Sequence, residues 1–139
     1  MEYQVSVNIA KPIDLITSEF VNKLTMPLWE KGLSRIEERK GTLFETGSEG
    51  FLVFSFEGQE MKMKVTVLDS HLPEEITIVY EVPGAYNKCR NLFQNQGKTT
   101  LWTMEVLFEF DQPNDYPLEA FINKTKTGMV LFQEYVEGL

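Results

Sequence analysis

The chain has 139 residues, a length that fits one domain spanning 1–139 and able to bury a core without disulfides or a structural metal. Its 13 Lys and Arg against 21 Asp and Glu give a net charge of −8, which argues against binding to nucleic acid or to anionic membranes. Cys89 is the sole cysteine, so no internal disulfide forms and a reducing compartment is expected. The opening MEYQVSVNIAKP lacks a charged segment followed by an apolar run, and no apolar stretch approaches the roughly 20 residues that would span a bilayer. A cytoplasmic location without membrane insertion is the expectation.

In chain order, Tyr3 to Ile9 alternates apolar and polar residues and predicts a half-buried strand. Pro12 suits the first turn of a helix, and Ile13, Ile16, Phe20 and Leu24 follow at helical spacing. Pro27 either ends this element or begins a short second helix with Leu28 and Trp29, closed by Gly32. Six strands are then expected, near Leu33–Lys40, Phe51–Phe56, Met61–Leu68, Ile76–Val82, Ala85–Asn95 and Thr99–Phe110. Their turns fall at Glu57-Gly58, Pro83-Gly84 and Gln96-Gly97. A final helix is capped by Asn114 or Asp115 with Pro117 in its first turn. Its apolar stripe runs through Leu118, Ile122, Thr125, Met129, Phe132 and Val136, and Gly128 is either tolerated there or needed for close packing.

Hairpin register identifies the inward face. A two-residue turn at Pro83-Gly84 sets Tyr80 opposite Asn87, Ile78 opposite Cys89 and Ile76 opposite Asn91. A two-residue turn at Gln96-Gly97 sets Asn91 opposite Trp102 and Cys89 opposite Met104, with Lys88 opposite Glu105 on the outer face. Ile76, Ile78, Tyr80, Asn87, Cys89, Asn91, Phe93, Trp102, Met104, Val106 and Phe108 then share one face, which the last helix must cover. Leu52, Phe54, Met61 and Met63 face the same way in an earlier hairpin.

The opening strand running into Pro12 and a helix, the Trp29 and Gly32 after it, the strands through Gly97-Lys98-Thr99-Thr100, and a last helix ending in Phe132, Tyr135 and Val136 resemble the START/Bet v 1-like (SRPBCC) superfamily, nearest to small bacterial polyketide cyclase/dehydrase-like members. The resemblance implies an α+β helix-grip fold, in the order β-α-α-β-β-β-β-β-β-α, with a curved antiparallel sheet wrapped around the C-terminal helix. It also implies a small hydrophobic or amphipathic ligand held between sheet and helix. Some members are cyclases or dehydratases and one branch contacts a chaperone. No catalytic residue transfers, because no residue set defines the superfamily.

The residues themselves show no metal or cofactor motif. His71, the lone histidine, has no partners for a metal site, and Cys89 reads as a small core residue. Glu37-Glu38 and Glu74-Glu75 read as solvated pairs whose members face opposite ways. The expected pocket lining is Tyr80, Asn87, Asn91, Trp102, Met104, Met61, Met63, Met129 and Phe132. Tyr80, Asn87 and Asn91 either satisfy each other or meet a ligand. Tyr80 is the candidate proton donor if the protein is a cyclase or dehydratase. Phe51 and Val53 are the candidate exposed patch if it docks another protein.

Overall fold

The computed structural model describes residues 1–139. The elements are β1 (Glu2–Ile9), α1 (Ile13–Phe20), a single 3-10 turn (Met26–Leu28), β2 (Leu33–Lys40), β3 (Glu49–Phe56), β4 (Gln59–His71), β5 (Glu75–Val82), β6 (Ala85–Asn95), β7 (Thr100–Phe110) and α2 (Leu118–Glu137). All seven strands form one antiparallel sheet in the order β1-β7-β6-β5-β4-β3-β2. Strands β2 to β7 are joined in sequence as neighbours. β1 and β2 are the opposite edges, so the α1 segment between them crosses the full width of the sheet. The fold is the α+β helix grip, although the second helix of the expected order is only the three-residue 3-10 turn. No helix is long and apolar enough to cross a membrane.

Turn chemistry sets the register. Glu57 and Gly58 both have positive φ, 50° and 82°, as a two-residue hairpin turn between right-twisted strands requires. Pro83-Gly84 also closes a two-residue turn, and β5 and β6 pair as the sequence predicts: Tyr80 with Asn87, Ile78 with Cys89, Ile76 with Asn91. The next hairpin differs. Gln96 N–H donates to Thr99 O at 3.0 Å, so four residues rather than two form the turn and Asn95 pairs with Thr100. The pairing shifts by two, to Asn91 with Met104 and Cys89 with Val106, which leaves every side chain on its expected face. Arg90 rather than Lys88 thus faces Glu105, at 3.3 Å, and it also binds Glu75 at 2.8 Å.

The helices depart from expectation at their ends. α1 stops at Phe20 because the Asn22 side chain accepts the Leu24 N–H at 3.1 Å, forming a local turn. Leu24 is accordingly 91% exposed rather than part of the helix stripe. Asn114 caps nothing. Its side chain accepts the Tyr116 N–H at 2.8 Å, and Pro117, extended at ψ 151°, precedes the first helical residue. Leu118 is exposed, and only Met129, Phe132 and Val136 of α2 are fully buried.

α2 lies against the β1 edge and satisfies its backbone. Lys126 Nζ donates to Ser6 O at 2.9 Å, Gln133 Nε2 to Asn8 O at 2.7 Å, and Ala10 N–H donates to Glu137 Oε2 at 2.8 Å. Such contacts keep an open strand edge from recruiting another chain. Towards the start of the helix, Tyr3 Oη is 2.8 Å from Thr125 Oγ1.

The C-terminal half of α2 closes on a cluster of rings. Phe20 meets Phe93, Trp102 and Phe132 edge to face at centroid distances of 5.5, 5.4 and 5.6 Å, and Trp29 meets Phe132 at 4.7 Å. Phe132 is wholly buried at its centre. Phe132→Ala removes that plug, and a loss of about 3–5 kcal/mol is expected in equilibrium urea unfolding, read as a lower midpoint at unchanged slope.

Candidate functional site

Beyond the ring cluster the sheet and α2 separate and leave between them a cavity of about 510 Å³ that opens to solvent. Its floor is the inner face of β3 to β7, its roof is the helix from Phe121 to Met129, and Phe20, Trp29 and Glu30 wall its inner end. Of the expected lining residues, Tyr80, Asn87, Trp102, Met104, Met61, Met63 and Met129 border it. Asn91 and Phe132 do not. Asn91 is 1% exposed because its amide is used within the core: Oδ1 accepts the Trp102 indole N–H at 3.0 Å and Nδ2 donates to Ile76 O at 3.3 Å. Phe132 sits in the plug behind the cavity wall.

One residue of the roof carries no side chain. Gly128 follows Thr125 at helical spacing on the inner side of α2, and a Cβ built on it would meet nothing within 4 Å. Close packing therefore does not explain this glycine; it borders empty space.

The other end of the cavity is a mouth. Phe108, Phe110 and Phe121 approach one another at 5.3–5.7 Å, with Tyr116 beside Phe121 at 6.4 Å. Phe110, Phe121 and Lys124 border both the cavity and an outer groove along residues 111–116.

Polar atoms inside are few. The Cys89 thiol donates to Asn87 Oδ1 at 3.4 Å, and burial pushes its pKa up to about 12, so it stays protonated and inert. Tyr80 has no hydrogen-bond partner for its hydroxyl, and burial, then the nearby Cys89 and Glu30, push it well above the ordinary phenol value. The amide nitrogen of Asn87 is also unpartnered. The Trp29 indole nitrogen, at the inner end, is buried without a partner.

Glu30 is the residue that sequence reasoning missed. It lies in the loop between the 3-10 turn and β2, beside Lys31, where a charged residue ordinarily faces water. Here the backbone N–H of Glu30 donates to Met26 O at 2.9 Å and its carbonyl accepts the Leu33 N–H at 3.1 Å. That turn directs the side chain into the cavity, where its carboxyl has neither an ion pair nor a hydrogen bond. Burial alone raises its pKa from 4.5 to about 7. The sole available sequence signal was its place directly after the inward-facing Trp29.

The remaining candidates are peripheral. His71 ends β4, exposed and 2.9 Å from Asp69. Glu37 is held below the ordinary carboxylate value chiefly by Lys62, and Glu38 by the Leu43 N–H and Lys23. Val53 is fully buried between its cross-strand neighbours Arg35 and Lys62, and Phe51 lies under Arg39 and Lys62. The stems of these long side chains cover the outer face there, so the expected apolar patch is not exposed.

The same architecture recurs in solved structures. Ara h 8.0201 superposes with a TM-score of 0.83 at 10% identity, over 100% of this chain and 99% of its own. A START superfamily protein from Mycobacterium smegmatis gives 0.77 at 16% identity, covering 99% and 97%. Major latex-like protein 151 from Panax ginseng gives 0.74 at 10% identity, covering 97% and 96%. The chain has the START/Bet v 1-like fold. No protein-family model matches the sequence, and no curated protein sequence does either. Within the START/Bet v 1-like frame, the cavity lies between the inner sheet face and the last helix.

The raised pKa of Glu30 has a defined stability consequence. The folded state favours its protonated form, so its contribution is fully present below about pH 4.5 and is lost as pH rises through about 7. Glu30→Gln mimics the neutral acid. Thermal unfolding of the variant is expected to show a gain of roughly 1–3 kcal/mol over the parent at about pH 8 and almost none at about pH 4.5.

Proposed function

We propose that this protein binds one small apolar or amphipathic molecule in the cavity beneath α2. The observation that carries the reading is a solvent-open cavity of about 510 Å³ in which 17 of 22 bordering residues are hydrophobic. The volume falls in the range of small-molecule sites, and an apolar wall with a few unpartnered polar groups is their usual composition. Four of the bordering residues are methionines (Met61, Met63, Met104 and Met129), whose flexible thioethers adapt to different apolar shapes. The START/Bet v 1-like fold supports the reading, since holding such a molecule between sheet and last helix is what resemblance to that superfamily implies.

Binding is favoured over a cyclase or dehydratase reaction by the state of Tyr80. A phenol pushed well above its ordinary pKa keeps its proton at neutral pH and suits a hydrogen-bond donor better than an acid catalyst.

Gly128→Leu tests the proposal. The side chain has open space to enter and replaces a poor helix former, so stability is expected to rise by about 1 kcal/mol. The same side chain occupies the cavity. Binding of 1-decanol, followed by the fluorescence of Trp29 and Trp102, is expected to weaken by tenfold or more, roughly 1.4 kcal/mol. Equal affinity in parent and variant, or no binding to the parent, would contradict the proposal.

A further inference from the structure

We propose that the ligand is an amphiphile bearing a protonated amine, and that Glu30 is its anchor. This rests on the proposed occupation of the cavity and specifies its chemistry. The Glu30 carboxyl borders the cavity without any cation or hydrogen-bond donor from the chain, whereas Glu37, Glu38, Glu60 and Glu75 on the outer surface are all ion-paired. An anionic group left unpaired against an apolar wall is costly, and a ligand cation lowers that cost while gaining a charge-assisted hydrogen bond.

The surroundings match an ammonium group. Its N–H donors need acceptors, and the wall supplies the Glu30 carboxylate and, near it, the unpartnered Tyr80 hydroxyl oxygen. Asn87, the cross-strand neighbour of Tyr80, lies further out, opposite Phe108. The rings of Phe20 and Trp29, stacked at 5.9 Å, border the cavity beside Glu30 and leave that end otherwise apolar. The tail of the amphiphile then lies along the methionines towards the mouth.

The titratable groups facing Glu30 across the cavity are Tyr80 on β5, Cys89 on β6, Tyr3 on β1 and Lys124 on α2; β3 and β4 contribute none. The first three are all raised and stay neutral through the physiological range. Lys124 is exposed at the mouth, where solvent screens it. Glu30, lifted to about 7, is therefore the group whose charge changes near neutrality.

The test is calorimetric titration of the intact protein with decylamine, 1-decanol and decanoate at about pH 5.5 and about pH 8.5. Decylamine stays protonated at both, like a lysine amine of pKa about 10.4. Its affinity is expected to rise roughly tenfold with pH while that of 1-decanol stays level, and at the higher pH the amine binds tightest of the three. Glu30→Gln is expected to abolish the rise and leave 1-decanol unaffected. The pH profile of the unaltered protein gives the same answer if the variant folds poorly. Binding of 1-decanol with no preference for decylamine at either pH overturns the amine assignment alone, as does tighter binding of decanoate. Failure of all three to bind overturns the cavity reading and the amine assignment with it.

Discussion

A single twenty-residue helix has to cover the inner face of a seven-stranded sheet, and the rest of the molecule follows from how far it succeeds. The sheet is apolar on one side only, so that side must leave water. α2 reaches it fully along its C-terminal half, through Met129, Phe132 and Val136. There the gap is filled by large rings from α1, the following loop, β6 and β7. Earlier along α2, Thr125 and Gly128 face the sheet instead, and those small residues leave the space unfilled. A close-packed interior has few voids larger than a water molecule, so a cavity of about 510 Å³ is a departure that needs a use.

The same geometry explains why an acidic side chain can sit inside. Residues on the strands are sorted by the period of two, which placed nearly every charge of β4 to β7 on the outer face. The loop after the 3-10 turn is under no such sorting. It passes over the inner end of the cavity as the chain crosses from one sheet edge to the other, and Glu30 points in. Its carboxyl, with the Tyr80 hydroxyl near it, gives an otherwise apolar chamber a polar inner end, with the mouth at the Phe110 and Phe121 rings. A ligand entering there would have a defined orientation.

Much of this was legible in the sequence because face assignment survives errors of register. The Gln96–Thr99 turn uses four residues where two were expected, yet a shift of two leaves Asn87, Cys89, Met104 and Trp102 facing inward. Pro83-Gly84 constrains its turn more tightly, and there the register itself was readable. What sequence patterns could not supply is which inward residues touch one another and which touch empty space. Asn91 and Asn87 look alike along the strand. One is consumed by the Trp102 indole and the Ile76 carbonyl, and the other borders the cavity, a difference set by the depth of the ring plug. Glu30 was hidden for a simpler reason: a turn has no periodicity from which to read a direction. Leu24 and Asn114 were misplaced because a side-chain amide formed a local turn in competition with the helix.

The central claim is that the space under α2 accepts an apolar molecule, and the six methionines report on it directly. Met61, Met63, Met104 and Met129 border the cavity, Met26 is buried elsewhere in the core, and Met1 lies at the surface. In a protein carrying 13C-labelled methionine methyls, titration with 1-decanol should shift the four cavity signals together and saturably while those of Met1 and Met26 stay in place. Uniform small shifts across all six, or a response confined to Met1 and Met26, would contradict the account.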